Sequence, residues 1–252
     1  MRHFGIIGNP LKQSFSAKYF TEKFAREGID AEYSLYPVSN EDVLASTPLK
    51  VKIEDLFSRL EGMNVTIPYK VAIIPMLDEL DDTARAIGAV NVIKVRHQSD
   101  GSIHTTGYNT DCLGFIDSIR PHIKAHHTRA LVLGTGGAAK AVTYGLHQLG
   151  IETQAVSRTK GLTYEALTPD MIRQHTVIVN CTPLGMWPDT DAAADIPYSA
   201  IGPEHLMYDC IYNPEKTLFL QRGEQQGATV VNGIGMLHGQ AEAAWRIWCC
   251  AQ

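Results

Sequence analysis

The stretch LVLGTGGAAKA, residues 131–141, decides how this chain folds. It opens on a continuous apolar run, the mark of a strand covered on both faces. Gly134, Gly136 and Ala139 then follow in the pattern G-x-G-x-x-A, at the opening of a helix. The first glycine permits the tight turn and the second lets a pyrophosphate approach the backbone. The small third residue allows close packing of helix on sheet. Exposed N–H groups and the helix dipole then face the anion. A glycine pattern alone is weak, because glycine turns are common; the strand–turn–helix setting puts dinucleotide binding ahead of a plain turn.

Working outward, the second half alternates cleanly. RALVLG (129–134), ETQAVS (152–157), TVIVNC (176–181), HLMYDCI (205–211) and ATVVN (228–232) read as strands, and residues 137–149 as a helix ending at Gly150. Strand, helix, strand at this spacing means βαβ units and a parallel sheet covered on both faces. The first half is more mixed. HFGIIG (3–8) is a strand, and 16–27 a helix that buries Tyr19, Phe20 and Phe24 and stops at Gly28. AEYSLYPV (31–38), MNVTIP (63–68) and AVNVIKVR (89–96) are strands, the last returning through the turn SDGS (99–102) into HTTGYN (104–109). A short helix is predicted over 54–60, and another over much of 70–87, interrupted at Pro75. The fold class is therefore α/β with two domains. An N-terminal α/β domain covers 1–109, and a Rossmann-like doubly wound dinucleotide-binding domain covers 110–235. The last helix, 236–252, is expected to pack back on the first domain.

Size and composition fit this plan. The 252 residues are 44% hydrophobic and 19% charged, an ordinary globular mix. The formal charge of −5 and the lack of a basic stripe argue against a nucleic-acid surface. No apolar run is long enough for a membrane helix, and the start is too short in apolar residues for an export signal. The five cysteines, 112, 181, 210, 249 and 250, show no metal-ligand spacing. They read as reduced thiols in the cytoplasm. His122, His126 and His127 lie in a polar connection and read as a surface loop, with no metal expected.

About 20 residues beyond the glycine loop, an NAD site usually carries an acid for the ribose. Here stands SRTK, 157–160. Hydroxyls and two cations suit a 2′-phosphate, and Arg158 can stack and hydrogen-bond together. In NVTIPYK (64–70), strand alternation puts Asn64 and Thr66 on one face and Val65 and Ile67 on the other, with Lys70 just past Pro68. A buried amide beside a buried hydroxyl needs partners, which a polyhydroxylated ligand would supply. Ser14 and Ser16 stand two apart in NPLKQSFS; Ser16 either caps the next helix or faces a ligand. Asp111 in GYNTDCLGF is open to the same two readings.

At this point the chain resembles the shikimate dehydrogenases. The resemblance rests on GNPLKQSFS (8–16), NVTIPYK (64–70), GAVNV (88–92), YNTD (108–111), GTGGAAKA (134–141), SRT (157–159), NCTPLGM (180–186), YNP (212–214) and NGIGMLHGQA (232–241), in the family's order. It implies NADP-dependent reversible reduction of 3-dehydroshikimate to shikimate, on the way to chorismate and the aromatic amino acids. It makes the first domain the substrate-binding and catalytic one. By similarity, Lys70 and Asp111 are the catalytic pair. Ser14 and Ser16 hold the substrate carboxylate, and Asn64, Thr66, Asn91, Tyr212 and Gln240 line the ring site. Gly134, Thr135, Gly136, Gly137 and Ala138 cradle the pyrophosphate; Ser157, Arg158 and Thr159 hold the adenosine phosphate. Asp82, Thr182, Cys210, Gly233 and Met236 lie near the cofactor or the cleft. The partner implied is a small-molecule substrate, with no nucleic acid and no membrane, and the chain a monomer or homodimer.

Some positions depart from the family's habit. Ser157 stands where Asn is common, Asn232 where Asp is common, and His238 where a small apolar residue is common. The nearest rival is a quinate/shikimate dehydrogenase with relaxed cofactor use. A folate-linked methylene dehydrogenase fits the paired serines and the Asn64–Thr66–Lys70 row less well, and a non-catalytic sensor would have no need of both Lys70 and Asp111. Arg158 predicts higher catalytic efficiency with NADP than with NAD, read from steady-state rates with each cofactor; equal efficiencies would refute it.

Overall fold

The computed structural model describes residues 1–9, 11, 14–38 and 46–250, the side chains of 46–52 excepted. Pro10, Lys12 and Gln13 of the motif GNPLKQSFS, residues 39–45 and the last two residues lie outside the described residues. The chain divides into two compact units, Met1–Thr110 with Ala241–Gln252, and Asp111–Gln240.

The first unit is built on β1 (Arg2–Gly8), α1 (Phe15–Glu27), β2 (Ala31–Pro37), α2 (Ser46–Arg59), β3 (Gly62–Val65), β4 (Glu79–Leu80), α3 (Asp82–Ile87), β5 (Val92–His97) and β6 (Ile103–Tyr108). Its mixed six-stranded sheet runs β2-β1-β3-β5-β6-β4. β1 is parallel to β2 and β3, whereas β5 is antiparallel to β3 and β6. Period two divides β1 between two cores. Phe4 and Ile6 pack with Phe20, Phe24 and Trp248, and Ile7 packs with Leu56, Phe57, Met63 and Ile93. Each such fully buried aliphatic side chain contributes about 1.5–3 kcal/mol.

Local signals explain where α1 sits. Ser14, not Ser16, is its cap, accepting a hydrogen bond from the Ala17 N–H at 3.4 Å, and Gly28 ends it at φ 63°. A left-handed φ carries no Cβ penalty in glycine. Ser16 is thereby a buried residue of the first turn rather than the cap. Buried Lys23 on α1 pairs with Glu27 at 3.1 Å and with Glu242 at 3.0 Å, and Tyr19 donates to Glu242 as well. Two carboxylates offset the cost of burying one ammonium and tie α1 to the last helix.

Three expectations for this unit need correction. The helix predicted over 54–60 starts earlier, at Ser46. Residues 70–87 are not one helix: a 3-10 turn at Ile74–Met76, then β4, precede a six-residue α3 capped by Asp81. Pro75 removes a donor and its ring excludes the preceding helical turn. The strand read over 63–68 stops at Val65, and Ile67 is 68% exposed whereas Val65 is buried. Pro68, joined through a cis bond to Ile67, ends the alternation.

The second unit contains α4 (Asp111–Ile119), β7 (Arg129–Leu133), α5 (Gly137–Gln148), β8 (Glu152–Ser157), β9 (Leu162–Thr163), α6 (Pro169–Gln174), β10 (Val177–Asn180), β11 (Leu206–Asp209), α7 (Leu218–Gln225) and β12 (Thr229–Val231). The last helix, α8 (Ile234–Cys249), starts in this unit and ends in the first. The sheet order is β12-β11-β10-β7-β8-β9, and every pairing is parallel. Alternation sorts each strand between two covered faces. Ala130, Val132, Val177, Val179 and Tyr208 meet Phe115, Val142 and Met236, whereas Leu131, Leu133, Ile178 and Met207 meet Ile172, Phe219 and Leu220. Helices on both faces of a parallel sheet make this the doubly wound plan. Within it, α4 and the start of α8 cross at Gly114 and Gly239, so close that a Cβ on Gly114 would strike the Met236 carbonyl oxygen.

The histidine stretch is only partly a surface loop. His127 is buried, and its Nδ1 accepts from the Lys124 N–H at 3.0 Å. Its Nε2–H therefore donates to the Glu204 carbonyl at 3.2 Å, and burial holds its pKa down. This ring ties the loop before β7 to the loop before β11. No described helix is long and apolar enough to cross a membrane.

Gly62 gives the most exacting packing of the first unit. A Cβ there would run into the indole of Trp248, whose Nε1–H donates to the buried Ile93 carbonyl at 3.0 Å. Gly62→Ala should cost about 2–4 kcal/mol through overpacking and loss of that bond, seen as a lower denaturant midpoint. A midpoint equal to the parent's would show that the indole can move without losing its partner.

Candidate active site

In the first unit two of the predicted polar residues, Asn64 and Asn91, are bound to one another. Asn64, 3% exposed, accepts from the Tyr33 hydroxyl at 2.6 Å, and its Nδ2 donates to the Asn91 carbonyl at 3.3 Å. The Asn91 carbonyl also receives the Val65 N–H at 2.9 Å. The Asn91 side chain accepts from the Thr110 N–H at 2.7 Å and donates to the Thr110 hydroxyl at 3.0 Å. Protein groups thus supply partners to Asn64, which the sequence reading had expected from a polyhydroxylated ligand.

Lys70 is reached from the same frame. The chain turns after Pro68, with the Tyr69 N–H on the Thr66 carbonyl and the buried Tyr69 hydroxyl on the Val38 carbonyl. The Lys70 carbonyl then accepts from the Val90 N–H at 2.7 Å, one residue before Asn91. Backbone bonds on both sides therefore fix where the half-buried Lys70 leaves the chain. Thr66 is half-buried, with its N–H on the Ile7 carbonyl at 2.9 Å. Ser14 and Ser16 lie at the start of α1, where the N-terminal dipole favours an anion. Asp82 is an exposed residue in the first turn of α3.

In the second unit, Asp111 is the buried first residue of α4, where the same dipole favours a carboxylate. Gln240 is buried and donates to the Leu237 carbonyl at 3.0 Å. Met236 is buried on α8, and Tyr212 is half-buried, its phenol pKa raised by burial. The glycine loop follows β7 at the centre of the sheet, where the strand order switches direction. Gly134 has φ 109°, a conformation L side chains rarely adopt, and a Cβ there would press on Cys181 and Thr182 at 3.3 Å. Gly136 caps α5 with open space where its Cβ would be, and Thr135 is exposed. Because the cap residue has no side chain, the first N–H groups of α5, from Gly137 and Ala138 onward, face outward for an anion. These features fit a dinucleotide pyrophosphate.

At the end of β8, the Ser157 hydroxyl closes its own turn. It accepts from the Lys160 N–H at 2.8 Å and donates to the Lys160 carbonyl at 2.5 Å. Ser157 thus shapes the turn that leaves Arg158 and Thr159 exposed. Thr182 folds back on Asn180, donating to its Oδ1 at 2.7 Å. The Cys210 and Cys181 sulfurs lie 3.7 Å apart, and that contact, with burial, pushes the Cys210 thiol up. Gly233 packs on the Cys210 carbonyl where no Cβ would fit.

The sequence reading missed the group that organises this edge. Asp209 ends β11 and accepts from Asn180 Nδ2 at 3.1 Å, Thr217 Oγ1 at 2.5 Å and the Ile211 N–H at 3.0 Å. It joins the ends of β10 and β11 to the cap of α7. The legible signal was a polar residue, Asn180 and Asp209, closing each of two apolar strands. Tyr33 and Thr110 were also missed; each is an unremarked polar residue in a strand or a motif.

The chain as a whole is similar to known proteins of one family. Residues 6–93 match the model of the shikimate dehydrogenase substrate binding domain. The chain is 34% identical to a shikimate dehydrogenase (NADP(+)) of Shouchella clausii, over 98% of this chain and 92% of that protein. The shikimate dehydrogenase structure from Aquifex aeolicus is similar at TM-score 0.84 and 31% identity, covering 99% and 92% of the two chains. Shikimate 5-dehydrogenase from Thermus thermophilus, solved with NADP(H) and shikimate, is similar at TM-score 0.84 and 28% identity, covering 99% and 94%.

Burial pushes Asp209 up from 3.8 to about 6. The folded protein therefore holds this proton where the unfolded chain has released it. The stabilisation is complete below about pH 4 and is lost as pH rises through 6, up to roughly 3 kcal/mol. Asp209→Asn keeps the shape and removes the titration. Denaturant midpoints of parent and variant should diverge between those pH values, the parent falling; parallel profiles would show that Asp209 titrates normally. By sequence identity along nearly its whole length, this chain belongs to the shikimate dehydrogenase (NADP+) family.

Proposed function

We propose that this chain catalyses the reversible, NADP-dependent reduction of 3-dehydroshikimate to shikimate. The observation that carries the reading is the anchoring of Lys70. Its carbonyl is bound to Val90, next to Asn91, which in turn holds Asn64 and Thr110. A proton donor thus leaves a rigid row of amide and hydroxyl groups, the residue types that suit a polyhydroxylated ring acid.

The chemistry follows from the residues. When bound, the reduced dinucleotide supplies a hydride to the ketone carbon. Negative charge then builds on the ketone oxygen. The Lys70 ammonium stabilises that charge and gives up its proton to the forming alcohol. In the reverse direction the neutral amine takes the alcohol proton. Asp111 positions the ammonium and binds a neighbouring hydroxyl. Ser14 and Ser16, at the positive end of α1, receive the carboxylate; Asn64, Thr66, Asn91, Tyr212 and Gln240 receive the ring hydroxyls.

On the cofactor side, residues 134–138 receive the pyrophosphate. Arg158 and Thr159, held out by the Ser157 turn, receive the adenosine 2′-phosphate. Asp82, Thr182, Cys210, Gly233 and Met236 would lie near the bound cofactor. The first unit is the substrate-binding and catalytic domain and the second the NADP-binding domain. The same reading places the enzyme in a reducing cytoplasm as a monomer or homodimer, in keeping with its free thiols.

Lys70→Ala should lower kcat by about 10²–10⁴ while the KM for shikimate changes only modestly. The assay follows absorbance of the reduced cofactor with purified protein, shikimate and NADP. Near-normal turnover would remove Lys70 from the chemistry. In parallel wells, comparable rates with quinate or NAD would move the protein to the quinate/shikimate group.

A further inference from the structure

The phenol of Tyr33 lies behind two proposed substrate-binding residues. Tyr33 is the buried residue of β2, flanked by exposed Glu32 and half-buried Ser34. Its ring stacks on Phe20 at 4.9 Å with 17° between planes, and Trp248 lies 6.5 Å away. Packing therefore fixes where the hydroxyl points. A phenol has one proton, and here it goes to Asn64 Oδ1 at 2.6 Å. The hydroxyl of buried Ser16, on the facing turn of α1, interacts with the same phenol.

An asparagine amide can be turned over at little cost unless its neighbours tell oxygen from nitrogen. On one side Asn64 meets a donor, Tyr33, and on the other an acceptor, the Asn91 carbonyl at 3.3 Å. The two together admit only one orientation. Nδ2 carries two N–H groups, so one remains to meet a hydroxyl or carboxylate acceptor. For packing alone, phenylalanine would serve at this position without the cost of burying a hydroxyl.

We propose that Tyr33 is a positioning residue for substrate binding, its hydroxyl holding the Asn64 amide in the orientation that offers N–H to the substrate. The proposal rests on the reading of Asn64 as a substrate-binding residue.

The test uses the full chain in steady-state assays with shikimate and NADP. Tyr33→Phe keeps the ring and removes the hydroxyl. The KM for shikimate should rise roughly tenfold, the size of one lost hydrogen bond in a binding step. The change in kcat should stay within about twofold, and the KM for NADP should not move. A merely structural role would shift the melting temperature without this split. In an Asn64→Ala background, where KM is already raised, Tyr33→Phe should add little. A normal KM in Tyr33→Phe, with a raised KM in Asn64→Ala, overturns the proposal and leaves the reading of Asn64 standing. A normal KM in Asn64→Ala overturns both. Tyr33→Leu is the second variant: if it raises KM and Tyr33→Phe does not, the ring rather than the hydroxyl matters and the proposal fails.

Discussion

Asn91 is the junction on which the first unit's polar row depends. Its carbonyl takes the Val65 N–H and the Asn64 amide, and its side chain clamps both the N–H and the hydroxyl of Thr110. Val90, the residue before it, holds the carbonyl of Lys70. One short segment ahead of β5 therefore sets the end of β3, the exit of Lys70 and the last residue before Asp111. Buried amides pay their desolvation cost unless every group is met, and among the described residues no buried side-chain polar atom lacks a partner. A network satisfied in this way is rigid, as the role proposed for Lys70 requires.

The second unit reaches the same end by different means. Its crevice is shaped by the absence of side chains as much as by their presence. Gly134 adopts a left-handed backbone against Cys181 and Thr182, and Gly233 lies on the Cys210 carbonyl. Beneath them the buried Asp209 carboxyl gathers Asn180, Thr217 and Ile211. Desolvation works against its ionised form, while three donors work for it; the raised pKa shows that burial is the larger effect. Strand ends held in this manner can present a loop to a phosphate without yielding.

Much of the fold was legible because period and punctuation agree. Continuous apolar strands such as Leu131–Leu133 and Val177–Val179 read as parallel and doubly covered, and they are. Where the reading failed, a local competitor was at work. Pro75 did more than interrupt the helix read over much of 70–87, leaving only six helical residues after β4, and Pro68 cut the strand at Val65, leaving Ile67 exposed. Ser14 took the cap that Ser16 seemed suited for, since two serines spaced by one residue differ only in the backbone conformation each adopts.

By itself the sequence determined the α/β class, the glycine loop after a buried strand, the basic turn at Arg158 and the family, because these rest on contiguous motifs and on periodicity. Tertiary structure alone decided who satisfies whom. Tyr33 meets Asn64 across two strands, and Lys23 meets Glu242 from opposite ends of the chain. Asp209 meets Thr217 beyond the end of its own strand. Such pairings depend on strand order and on the direction of each side chain. A linear pattern carries neither, so the partners of a buried polar group become visible only once the sheets are formed.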